Sequence, residues 1–277
     1  MPIIRTLLLF YIIAATVTAT VAIAEPNDIS SLLMRSTFRL QDEKTFGTVF
    51  IMGEPLQGQP GKGSYVLITA AHVLENIKGD NATLFLRKRI KTGYVKLPTL
   101  IKVRQNGKPL WVRHPQADVA AMRIALPQEA DLQVFSTDLL ATDAMLEQIE
   151  VHPGDELLVL GFPYGAESNE AGFPILRSGR IAGFPLLPTS ETRTFLLDFP
   201  VFNGNSGGPV FMHSDNRVYG GSTHYGTISL ILGVVSEEEV IEERLHDVLV
   251  KTNKLGLAVV VHARFVKELL GMLPPLR

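Results

Sequence analysis

From residue 46 onward the chain is a succession of short apolar runs, each closed by glycine, proline, asparagine or aspartate. Residues 46–52, 64–69 and 82–86 are rich in β-branched and aromatic side chains and have the length of strands. The same pattern returns at 155–160, 194–198, 208–212, 228–235 and 256–261. Many short strands with turn signals between them predict an all-β fold of barrels or a sandwich, not alternating β and α units. A helix is predicted from about His262, where Phe265, Val266, Leu269 and Leu270 recur at helical spacing with Lys267 and Glu268 between them.

Two segments break the pattern. Residues 129–150 carry several acidic side chains and no β alternation, and a break follows them at Val151-His152-Pro153-Gly154-Asp155. They read as the connection between two β halves. Residues 236–247 include Glu237, Glu238, Glu239, Glu242 and Glu243 and read as the solvated face of an insertion. The amino terminus has a third character. Arg5 precedes an apolar run that closes on Ala22-Ile23-Ala24, the pattern of a secretory signal peptide cleaved after Ala24. A retained membrane anchor is the alternative, because the run approaches spanning length. Either reading places the rest of the chain outside the cytoplasm, periplasmic or secreted.

Composition narrows the chemistry. With 277 residues and 46% hydrophobic side chains, the chain is long enough for one large β domain or two barrel-sized halves. A formal charge of −2 gives no footprint for binding nucleic acid. The absence of cysteine excludes a disulfide scaffold, a thiol nucleophile and a Cys-ligated metal. No His-Glu-x-x-His or similar pair occurs among the seven histidines, so no metal or other cofactor is expected.

The strongest chemical signal is Gly204-Asn205-Ser206-Gly207-Gly208-Pro209. Glycines on both sides let the backbone bend sharply, so that a serine hydroxyl projects while amide groups converge. Such a turn suits an acyl-transfer nucleophile. Gly204, Asn205 and Ser206 form the expected oxyanion hole, with the N–H groups of Gly204 and Ser206 as donors. A nucleophile elbow of the α/β-hydrolase kind would launch a helix, whereas Pro209-Val210-Phe211-Met212 reads as a strand.

A serine needs a base, and His72 stands where the strand 64–69 ends, in Thr69-Ala70-Ala71-His72. The base needs an orienting carboxylate. Asp118 leads the apolar run Val119-Ala120-Ala121, an odd place for a charge unless it has a buried partner. The other histidines, at 114, 152, 213, 224, 246 and 262, have no comparable setting.

The order His72, Asp118, Ser206, with the motifs around them, resembles the chymotrypsin-like (trypsin-like) serine proteases, nearest to bacterial protease domains of the high-temperature-requirement type without a PDZ domain. The likeness extends to Pro153-Gly154-Asp155, to Gly161-Phe162-Pro163-Tyr164-Gly165, to Ser178-Gly179-Arg180-Ile181 and to residues 256–261 with their helix. It implies two antiparallel six-stranded β-barrels and a C-terminal helix, with the triad His72, Asp118 and Ser206 between the barrels. The corresponding organisation is a signal at 1–24, barrels at 25–128 and 151–261, a linker at 129–150 and a helix with its tail at 262–277. Asn205 stands where zymogen-activated digestive enzymes carry aspartate, so no activation by a new amino terminus is expected.

The resemblance also places a primary pocket at Pro200, Gly233, Val234 and Val235, implying an apolar and fairly small subsite. Pro200 in place of an aspartate argues against Lys or Arg there, and His213 or His224 leaves a glutamate preference open. The implied function is an exported serine endopeptidase acting on proteins or peptides, with no nucleic-acid partner and no membrane association after signal cleavage. An exported binding or chaperone-like module that keeps the fold without turnover is the alternative.

Overall fold

A computed structural model of the chain describes residues 28–55, 63–245 and 248–274; the segment 1–24, expected to be a signal, lies outside them. Helix α1 (Ile29–Ser36) is capped by Asp28, whose carboxylate accepts the Ser31 N–H at 3.0 Å. Strands β1 (Thr37–Gln41), β2 (Phe46–Pro55) and β3 (Gly63–Thr69) then form an antiparallel meander. Helix α2 (Ala71–Asn76) leads to β4 (Asn81–Ile90) and β5 (Gly93–Lys102), then a small hairpin of β6 (Arg104–Gln105) and β7 (Lys108–Pro109). Strands β8 (Val112–Arg113) and β9 (Ala120–Ile124) complete the first half. Its main sheet has seven strands in the order β5-β4-β1-β2-β3-β9-β8, one more than the six expected, because β8 adds to its edge.

The second half is a closed barrel with the order β10-β11-β12-β15-β14-β13. Its strands are β10 (Glu156–Gly161), β11 (Ile175–Ile181), β12 (Thr194–Asp198), β13 (Pro209–Tyr219), β14 (Ser222–Leu245) and β15 (Val248–His262). The connection between halves carries a 3-10 turn at Thr137–Leu139 and helix α3 (Asp143–Gln148), which buries Leu146 in the second barrel. Helix α4 (Ala263–Met272) closes the chain where the sequence predicts it. Helices α1, α2 and α3 were not expected. Two have six residues and one has eight, too short for a periodic pattern to stand out.

The unbroken apolar runs have a simple cause: neighbouring residues enter different cores. In β3, Leu67 points into the first sheet's core while Val66 and Ile68 face a central cluster shared with α1, α4 and the second barrel. Strand β2 divides Val49 and Ile51 from Phe50 and Met52 in the same way. In the second barrel, β13 sends Val210 and Met212 inward and Phe211 to the shared cluster. Burial on both faces replaces polar–apolar alternation with continuous hydrophobicity. The shared cluster holds the halves face to face, and the cleft lies along their junction.

The acidic stretch is not a separate insertion. Residues 236–245 prolong β14, paired with β15 through Glu237↔Val259, Val240↔Lys254 and Glu242↔Thr252.

Candidate active site

His72 sits in the first turn of α2, immediately after β3, and Asp118 in the tight turn before β9. Pairing of β3 with β9, Thr69 opposite Ala120, brings these two turns together. The Asp118 carboxylate then accepts three hydrogen bonds: from the His72 backbone N–H (3.0 Å), from the His72 ring at Nδ1 (2.7 Å) and from the Ser236 hydroxyl (2.6 Å). Burial alone would raise the pKa of Asp118, but the His72 and Ser236 bonds and the charge of His72 hold it down at about 2. Asp118 is thus a fixed anion at neutral pH, and Nδ1 of His72 carries the proton it binds. That tautomer leaves the lone pair of Nε2 free to act as a base.

For His72, burial works against the charged form. The hydrogen bond and charge of Asp118 outweigh it, with smaller help from Glu237 and Glu75, and its pKa lies above the usual histidine value. His72, Asp118 and Ser206 line one open cleft of about 430 Å³.

The serine turn is anchored to the first half by its backbone. Thr48 of β2 accounts for most of the hold: its N–H donates to Ser206 O (2.9 Å) and its hydroxyl to Gly204 O (2.6 Å). Gly207 approaches β2 and β3 so closely that a β-carbon there would run into Thr48 O and Thr69 Oγ1, and its φ is +89°. Gly204, at φ +95°, is closed in by Phe162 O and the Phe46 ring. Both positions therefore demand glycine.

The amides of this turn fall into two groups. Asn205 N–H donates to Phe202 O (2.9 Å), Gly207 N–H to Val235 O (2.7 Å) and Gly208 N–H to Asn205 O (3.0 Å). Among the described residues, the N–H groups of Gly204 and Ser206 have no such acceptor. The Asn203 carbonyl is turned toward Tyr164 N–H at 2.6 Å, so the Gly204 N–H on that trans peptide faces the other way. This corrects one expectation. Asn205 has no free amide for an oxyanion, and its side chain is buried against Gly161.

The expected primary pocket also needs correction. Val234 and Val235 are wholly buried in the two cores, and a β-carbon on Gly233 would meet Val261 O. Pro200 lies at the surface with its carbonyl bonded to Arg177 at 2.9 Å. The cleft is lined instead by Val201, Phe202 and Asn203, by Ser236, Glu237 and Glu238, and by Lys254, Glu75 and Arg113. Strand β14 reaches the cleft only after its last core residue, Val235, so neither Val234 nor Val235 lines it. His213 bonds Ser229 (3.4 Å) and His224 stacks on Tyr219 (3.6 Å), and neither lines the cleft. His246 lies outside the described residues.

Residues 47–220 match the family described as trypsin-like peptidase domain. Among solved structures, an inactive mutant form of Rv3671c from M. tuberculosis H37Rv is similar at 18% identity, over 91% of this chain and 95% of that one, with a TM-score of 0.44. No curated protein matches the chain. With more than half of its length matched, the chain belongs to the trypsin-like peptidase family and is a serine peptidase.

Proposed function

We propose that the protein is an exported endopeptidase that cuts peptide bonds through an acyl-enzyme on Ser206. The observation that carries this reading is the division of amides in the serine turn. Three are bonded within the fold, while those of Gly204 and Ser206, which flank the nucleophile's approach, are left for a ligand oxygen. His72 takes the hydroxyl proton at Nε2 as Ser206 Oγ attacks the scissile carbonyl. The two free amides then stabilise the oxyanion, and the imidazolium returns the proton to the leaving amine. Asp118 holds the ring orientation and stabilises its positive form. Water, deprotonated by the same nitrogen, releases the acyl group. The open cleft suits an extended polypeptide.

The test is digestion of an unfolded protein by chain beginning at Glu25, with products read by mass spectrometry. New internal cleavages that vanish in Ser206→Ala are expected; ester hydrolysis without any peptide cleavage would overturn the reading. Export is tested by the amino terminus of the mature protein, which should be Glu25.

A further inference from the structure

The charged side chains along the cleft are not equivalent. Arg113 is paired with Glu75 at 3.3 Å and Lys254 with Glu238 at 2.6 Å. Asp118 is held by His72 and Ser236. Glu237 is exposed on the cleft wall and has no ionic or hydrogen-bonding partner among the described residues. It lines the same cleft as His72, and its charge favours the protonated form of that ring.

The backbone around it is open as well. Pairing of β14 with β13 closes at Pro209↔Val234, and Val235 exchanges bonds with Gly207 and Gly208. From Ser236 onward β15 alone pairs with β14 among the described residues. A peptide stretched through the cleft therefore passes a free strand edge at the point where Glu237 projects. A neutral side chain there would shield the carboxylate from water without compensating it, whereas Lys or Arg would supply the missing charge.

Resting on the peptidase reading, we propose that Glu237 is a specificity-determining residue that selects Lys or Arg at the substrate position lying over the His72 ring, beside the cleaved residue. Arg113 and Lys254 do not cancel it, because each already has its own carboxylate. The preference is electrostatic and partly solvated, so it weakens with salt.

The experiment compares kcat/KM for peptides differing at single positions around the scissile bond, using the intact chain, Glu237→Gln and Glu237→Lys. At low ionic strength Lys or Arg at one position beside the cleaved residue should exceed Gln by about fivefold or more. That ratio should collapse toward one in Glu237→Gln, and Glu237→Lys should favour Glu or Asp instead. Labelling by a fluorophosphonate shows that each variant retains a working nucleophile. Cleavage with no basic preference, or one unchanged in Glu237→Gln, overturns this inference and leaves the peptidase reading standing. Absence of both cleavage and labelling in the intact chain overturns the two together.

Discussion

The hydroxyl of Ser236 donates to Asp118 Oδ2 at 2.6 Å, on the same oxygen that receives the His72 ring, so the second barrel helps to fix the His72–Asp118 pair carried by the first half. Ser236→Ala should leave that oxygen with one charge-assisted bond fewer. We expect kcat/KM to fall about tenfold with KM little changed, since the lost interaction supports the imidazolium rather than the bound peptide. Steady-state kinetics on a single peptide checks this. An unaltered kcat would show that His72 alone holds the carboxylate.

The pH profile follows from the charge next to the ring. The proposed mechanism needs His72 neutral at Nε2, and Asp118, Glu237 and Glu75 favour its protonated form. The acid limb of kcat/KM should therefore have its midpoint above the ordinary histidine pKa of 6.5. Asp118→Asn should move that limb downward and lower turnover by about 10⁴. Rates measured from pH 5 to 9 read both effects.

His262 makes an independent prediction about stability. It is buried against the Phe195 ring at 4.8 Å, neither ring nitrogen has a hydrogen-bond partner, and burial lowers its pKa from 6.5 to about 4. The unfolded chain thus binds a proton that the folded chain refuses. Stability is unaffected above pH 6.5 and falls as pH drops from there to about 4, by at most about 3 kcal/mol at 1.36 kcal/mol per pH unit. Urea unfolding at pH 7.5 and 4.5 should show a smaller loss for His262→Leu than for the parent chain. Asp118 acts in a separate and lower window, since its depressed pKa withdraws stability only between 3.8 and about 2.

Arg87 bears on the seating of α1. It is fully buried and donates to the carbonyls of Met34 (3.0 Å), Arg35 (2.9 Å), Thr37 (3.1 Å) and Gly172 (3.0 Å), with its guanidinium 4.2 Å from the rings of both Phe38 and Phe173. Burial lowers its pKa to about 9, which leaves it charged at neutral pH. Arg87→Met should lower stability by about 3 kcal/mol, because buried carbonyls lose their donor. Arg87→Lys should rescue little, since an ammonium cannot reproduce the planar fork. Denaturant midpoints measure both.

At Gly207 the expectation is structural. Gly207→Ala has to displace backbone at Thr48 as well as the Thr69 hydroxyl, at a φ that alanine disfavours. Low soluble yield and absence of fluorophosphonate labelling are expected. A well-folded, labelled variant would show that the serine turn can move away from the first half.

The sequence made Ser206, His72 and Asp118 legible because each carries a local mark: a glycine-bracketed serine, a histidine ending a strand and a charge leading one. It could not reveal Ser236 or Thr48, whose partners are 118 and 156 residues away and meet them only through the packing of the two halves. The pocket was misplaced for a related reason. Val234 and Val235 look like an apolar subsite on a strand near the nucleophile, but the strand is sandwiched between two cores and consumes them there. The polar residues just beyond, Ser236 to Glu238, read as solvated surface, although they form the cleft wall. Within the serine turn the sequence places Asn205 in the expected oxyanion hole beside Gly204 and Ser206, and only the fold shows that its amide is already bonded to Phe202 O.

The proposed mechanism makes Ser206 a nucleophile activated by His72. It is tested most directly by exposing the chain beginning at Glu25 to a fluorophosphonate and mapping the adduct by peptide mass spectrometry. One adduct is expected, on Ser206, formed without further proteolytic processing and lost or slowed by about 10³-fold or more in His72→Ala. An adduct on another residue, or equal labelling when His72 is replaced, would contradict it.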